Sequence, residues 1–308
     1  MGGTISSLAF PAPEMPKSFY EGELLRRHDL IYLTTSAGER IPCVHKKAGS
    51  ANAAKPITLL YSHGNAEDIG LHLPFVDGLA RATGCDVLSY EYVGYSLSKL
   101  EGGAASEAGC LRSVDAAWLY CVEELKLPPA QIVIFGRSIG TGPSVDLASR
   151  AAVEGTAHSP LAARGVLLQS PISSGARAVL GTAASVVGYP LDIFRNYMKI
   201  DKITAPVAIV HGTADEVVPC SNGRALYAKL QQPFEPLWME GRGHNDVRAS
   251  QSPLTAVQKP EVLLAGSAAD AGAGGVRVRP AVRGDAAGDG AGAGAGAQLD
   301  SSCRATSS

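Results

Sequence analysis

A doubly wound α/β architecture, with one mostly parallel sheet of eight strands between helices and an antiparallel hairpin at its start, is predicted by three observations. Short β-branched runs alternate with longer helix-patterned stretches from about residue 29 onward. Runs such as Ile132-Val133-Ile134-Phe135 are apolar on both faces, as parallel strands covered by helices on both sides must be. The first two candidate strands are joined by only a short "SAGE" turn, which demands an antiparallel pair at the sheet edge.

In chain order the strand candidates are "LIYLTT" (30–35), "RIPCVH" (40–45), "ITLLYSH" (57–63), "DVLSYEY" (86–92), "QIVIFG" (131–136), "GVLLQS" (165–170), "PVAIVHG" (206–212) and "EPLWME" (235–240). Helical patterns fill 68–83, 106–126, 138–153, 174–188 and 221–231. Only about 35 residues separate the sixth and seventh strands, too few for a large lid. Within them "AVLGTAASVVGYPLDIF" (178–194) is apolar, and it either walls an acyl groove or packs as a core-facing helix.

The chain of 308 residues is 45% hydrophobic, enough for a substantial core, and its net charge of −2 gives no reason to expect nucleic acid. Its six cysteines show no CxxC pair and no histidines at metal-ligand spacing. They read as reduced thiols of a cytosolic protein without a signal peptide, and no metal or cofactor is expected. No apolar run approaches the roughly 18 residues that span a bilayer. The expected divisions are an N-terminal segment over 1–28, one catalytic domain over 29–264 and a disordered tail over 265–308. In that tail, 22 of the 33 residues from 265 to 297 are Ala or Gly, too few large side chains to offset the entropy of ordering. Pro253 and Pro260 interrupt the stretch where a last helix belongs.

Chemistry is carried by "QIVIFGRSIGTGPSVDLASR", residues 131–150. A strand, then Gly136-x-Ser138-x-Gly140, then a helix describes a nucleophile elbow: the glycines let strand and helix crowd together while the serine rides the tip of the turn. A bare GxSxG means little in a chain with 35 glycines; its placement between strand and helix gives it weight. Serine needs a base to take its proton and an acid to orient that base, in the chain order Ser, acid, His. The loop "TADEVVP" after the seventh strand offers Asp215, with Glu216 as the rival acid, and "GRGHND" after the eighth offers His244. His211 lies inside a strand end as a packed neighbour, and His63 precedes the serine in the wrong order. For the oxyanion hole, the backbone N–H of Ile139 follows the nucleophile, and the turn His63-Gly64-Asn65 after the third strand supplies Asn65 as the second donor, with Ala66 the alternative.

The segments "LLYSHGNAEDIG", "LSYEYVGYSLS", "IVIFGRSIGTGPSVDLAS", "LLQSPISSGARAV", "DIFRNYMKIDKITAPVAIVHGTADEVVP" and "PLWMEGRGHNDV" resemble, in this order, the α/β-hydrolase domain-containing 17 family of protein depalmitoylases, over roughly residues 55–247. The resemblance implies an α/β-hydrolase fold and a serine thioesterase that releases palmitate from S-acylated cysteines of membrane-associated proteins. It places the nucleophile on Ser138, the acid on Asp215 and the base on His244. Its alternatives are a general carboxylesterase or lysophospholipase using the same residues, or a non-catalytic scaffold. A monomer, peripherally attached to the cytosolic face of membranes such as the plasma membrane or endosomes, is expected.

Two departures stand out. Animal members of the family carry an N-terminal cysteine cluster that is itself palmitoylated, whereas the first cysteine here is Cys43. Instead the chain opens "MGGTISS", which fits the pattern for N-myristoylation at Gly2. One myristoyl chain binds membrane only marginally, and no basic cluster assists it, because Lys17, Arg26 and Arg27 are matched by Glu14, Glu21, Glu23 and Asp29. The family also continues past "GHND" into a terminal helix, where this chain reads "VRASQSPLTAVQKPEVLLAG".

Overall fold

All eight expected strands form: β1 (Leu30–Thr34), β2 (Arg40–Lys46), β3 (Thr58–Ser62), β4 (Asp86–Tyr90), β5 (Ile132–Arg137), β6 (Gly165–Gln169), β7 (Val207–Gly212) and β8 (Leu237–Met239). They build one sheet in the order β1-β2-β4-β3-β5-β6-β7-β8. The β1–β2 and β2–β4 pairs are antiparallel and the rest parallel. This computed structural model describes residues 10–49, 57–178 and 192–246. The described residues belong to one compact unit, Met1–Val278, and a second unit, Arg279–Ser308, lies wholly outside them. Gly2, the Gly/Ala-rich tail and the stretch after "GHND" also lie outside them.

Every residue of β3, β5, β6 and β7 is buried. Alternate residues feed two cores, because successive strand side chains point to opposite faces. On one face Leu60, Leu88, Ile134, Leu168 and Ile209 pack with Trp118 and Val145. On the other, Leu59, Val87, Val133, Phe135, Leu167 and Val210 pack with Val76 and Leu79. Fully burying a side chain of this size contributes about 1.5–3 kcal/mol, so the central strands are the firmest part of the fold.

The helices are α1 (Lys17–Gly22), α2 (Leu73–Thr83), α3 (Ser96–Leu100), α4 (Glu107–Leu119), α5 (Thr141–Ala148) and α6 (Ser221–Tyr227). They are shorter than the apolar periodicity suggests, for local reasons. Helix α4 starts where the Ser106 hydroxyl accepts the Gly109 N–H, and it loosens into a π turn over Tyr120–Glu124. The pattern at 138–153 opens as a tight 3-10 turn, Ser138–Gly140, before α5. It closes early, where the Ser149 hydroxyl bonds the Asp146 carbonyl and competes with the helical ladder. Of the pattern at 174–188, residues 175–178 are helical and those from 179 lie outside the described residues.

The N-terminal segment over 10–28 is part of the packed body. Tyr20 and Leu24, one helical turn apart, are buried with Val44, Ile69, Leu73 and Leu97, and the Tyr20 hydroxyl donates to Asp68 at 2.7 Å. Arg27 bridges Asp29 at 2.7 Å and Asp77 at 2.9 Å. No helix among the described residues is long and apolar enough to cross a membrane.

Candidate active site

At the carboxyl end of β5 the chain reverses into α5 through Ser138, which takes φ +52°. A left-handed conformation costs a non-glycine residue on the order of 1–3 kcal/mol and persists only where its surroundings enforce it. Here they do. A Cβ on Gly136 would lie 2.6 Å from Ser144 Oγ, and one on Gly140 only 2.2 Å from the Ser62 carbonyl oxygen. Both glycines are therefore required by close approach, Gly136 to α5 and Gly140 to the end of β3. The Thr141 hydroxyl completes the brace, donating to the Ser138 carbonyl at 2.6 Å and accepting the Ile172 N–H at 3.2 Å.

Two further loops leave the same edge of the sheet. After β7 comes Asp215, and after β8 comes His244. His244 Nδ1 lies 2.8 Å from Asp215 Oδ2, and His244 Nε2 lies 3.1 Å from Ser138 Oγ. Asp215 Oδ1 accepts the N–H groups of Val217 at 3.0 Å and Val218 at 2.7 Å. Burial opposes the charged carboxylate, but hydrogen bonds from His211, His244 and the Val218 N–H outweigh it and hold the pKa far below the usual range. An ionised Asp215 only accepts, so the proton of the neutral imidazole sits on Nδ1, and Nε2 presents its lone pair to the Ser138 hydroxyl.

The rivals fall into other roles. Glu216 Oε2 meets the backbone N–H of His244 at 3.4 Å rather than its ring. His211 is fully buried, and its Nε2–H donates to the Val218 carbonyl at 2.8 Å while lying 3.4 Å from Asp215 Oδ2, so it packs behind the acid. His63 is sealed beneath the turn that carries Asn65.

Strand register explains where that turn lies. Ser62 of β3 pairs with Gly136 of β5, so His63-Gly64-Asn65 leaves the sheet beside Ser138. Ile139 is the second residue of the tight turn, a position whose N–H has no intrahelical acceptor. Asn65 Oδ1 accepts the Tyr95 hydroxyl at 2.9 Å, the Tyr92 hydroxyl donates to the His63 carbonyl at 2.8 Å, and Ala66 takes φ +53°. Beneath them His63 Nε2 meets Glu91 Oε1 at 2.8 Å, both side chains wholly buried, and Nδ1 meets the Gly64 carbonyl at 2.9 Å. Both partners are acceptors, so both ring nitrogens carry protons. Burial disfavours this cation, yet the Glu91 carboxylate prevails and raises the pKa.

No family model matches the chain. Among curated proteins it is 44% identical over 213 residues to alpha/beta hydrolase domain-containing protein 17B of Xenopus tropicalis and of Homo sapiens, covering 69% of this chain and 68% of each relative. The chain belongs to the α/β-hydrolase domain-containing 17 family. Protein 17C of Mus musculus is 36% identical over 219 residues, 71% of this chain and 63% of the relative. Solved structures share the fold. A thermophilic esterase from the Planctomycetes species Thermogutta terrifontis superposes with TM-score 0.59 at 20% identity over 80% of this chain and 97% of its own. An esterase from Pyrococcus furiosus gives TM-score 0.55 at 15% identity over 82% and 94%.

As a member of this family the chain is an α/β hydrolase, and within it the structure adds what sequence reasoning missed. Glu91 is the clearest case: an acid set between the aromatic and apolar residues of "YEYV" is the signal of a buried partner, here His63. No group of His, Cys, Asp and Glu among the described residues is arranged to hold a metal. Most of the apolar stretch 178–194 lies outside those residues. In its described end, Phe194 is buried edge-on to Phe10 with ring centroids 6.0 Å apart, a core contact rather than a groove wall.

Proposed function

We propose that this chain is a serine thioesterase that removes palmitate from S-acylated cysteines of membrane-associated proteins, with Ser138 as nucleophile, His244 as base and Asp215 as the orienting acid. The observation that carries the reading is the relay from Asp215 Oδ2 through the His244 ring to Ser138 Oγ, at 2.8 and 3.1 Å. Ser138 Oγ attacks the thioester carbonyl carbon while His244 Nε2 takes the hydroxyl proton. The N–H groups of Ile139 and Asn65 receive the developing oxyanion, each such donor lowering the barrier by roughly 3–4 kcal/mol. Collapse breaks the carbon–sulfur bond, and His244 returns the proton to the cysteine sulfur, leaving Ser138 acylated. Water, deprotonated by the same ring, then attacks the acyl-enzyme and frees the fatty acid.

The palmitoyl substrate rests on family membership; the residues themselves specify acyl transfer. Hydrolysis of a palmitoyl-thioester peptide is therefore expected to exceed that of short-chain esters in kcat/KM. Turnover of the esters alone would instead identify a carboxylesterase.

Attachment to the cytosolic membrane face is proposed to come from an acyl group on Gly2. Membrane fractionation of Gly2→Ala should show it released to the supernatant; an unchanged distribution contradicts the anchor.

A further inference from the structure

Between the first glycine of the turn and Ser138 stands Arg137, and its side chain is only 3% exposed. Nη1 donates to Glu67 Oε1 at 2.5 Å and Nη2 donates to Asn245 Oδ1 at 3.0 Å. A Cβ on Gly64 would lie 2.6 Å from Nη1, so the guanidinium also packs against the turn that carries Asn65. One side chain thus touches two loops: that after β3, with Gly64, Asn65 and Glu67, and that after β8, where Asn245 directly follows His244. These strands are four places apart in the sheet, so no ladder hydrogen bond sets one loop against the other. The planar fork of an arginine can hold two acceptors in fixed directions at once, which a lysine cannot.

We infer that Arg137 is a positioning residue, clamping the oxyanion turn at Asn65 and the base at His244 into register with the nucleophile next to it. The inference rests on the serine-hydrolase reading above. Its effect is felt in the chemical step rather than in substrate capture, because the clamp sets the distance between groups that act together only when Ser138 attacks.

The test is steady-state kinetics on a soluble acyl thioester, with thermal melting of each variant beside it. Arg137→Met should lower kcat roughly 10- to 100-fold with KM changed less than about twofold, as expected for a misplacement of catalytic groups by an ångström or less. Removing the arginine takes away its ion pair with Glu67, so a folding loss is guarded against with Asn245→Ala. That exposed position breaks only the arm to the base loop and should cost roughly tenfold in kcat at an unchanged melting temperature. Arg137→Lys should recover part of the loss, and Arg137→Met/Asn245→Ala should be no slower than Arg137→Met alone. An unaltered kcat in Asn245→Ala, losses that multiply in the double variant, or a raised KM at constant kcat overturns the inference. Fluorophosphonate labelling of the wild type reports separately on the underlying reading, since it does not depend on the ratio between wild type and variants.

Discussion

Ser138→Ala is expected to lower kcat by roughly 10⁴- to 10⁶-fold, and Ser138→Ala/His244→Ala to be no slower than Ser138→Ala alone. The reason is that hydroxyl and imidazole act as one unit. A serine hydroxyl at its ordinary acidity is a poor nucleophile, so the 3.1 Å contact to His244 Nε2 is worth nothing without the hydroxyl, and the reverse holds equally. What should survive is the stabilisation from the proposed oxyanion donors, the N–H groups of Ile139 and Asn65, which neither substitution touches. Steady-state turnover of a palmitoyl-thioester peptide by both single variants and the double variant measures this. Losses that multiply would mean that the two side chains act independently.

Asp215→Asn should lower kcat by roughly 10³- to 10⁴-fold at neutral pH, although the side chain keeps its shape. The carboxylate only accepts, which keeps the imidazole proton on Nδ1. A carboxamide can turn its NH2 toward Nδ1 and leave the proton on Nε2, where it faces Ser138 and blocks proton abstraction. The same acid makes a pH-dependent contribution to stability. Its folded pKa lies well below the value of about 3.9 in an unfolded chain, so the stabilisation is fully present above that pH and is lost progressively as the pH falls from there toward the folded pKa. Wild type should therefore melt above Asp215→Asn at neutral pH, with the gap narrowing below about pH 4. Thermal denaturation across pH 3 to 7 checks this; a gap independent of pH would place the carboxylate in no special environment.

How legible these features were in the sequence follows from the range of the contacts behind them. Strands β5 and β7 are apolar on both faces, so composition alone reveals them. Ser138, Asp215 and His244 were legible because each closes a strand at the same edge of a parallel sheet, and strand order does the rest. Helix ends were less so, since Ser149 terminates α5 through a hydroxyl bond that periodicity does not register. The pairing of His63 with Glu91 depends on β3 and β4 being neighbours, which a crossover in the sheet order decides. The burial of Tyr20 against Asp68 joins positions 48 residues apart, and the Arg137 contact to Asn245 joins positions 108 apart. No local pattern announces either.

Intact-protein mass spectrometry after treatment with a fluorophosphonate probe, followed by peptide mapping, shows whether Ser138 is an activated nucleophile. A single adduct is expected on the peptide containing Ser138, absent from Ser138→Ala and formed far more slowly in His244→Ala. Wild type that stays unmodified, or an adduct that persists undiminished in Ser138→Ala, would contradict that role.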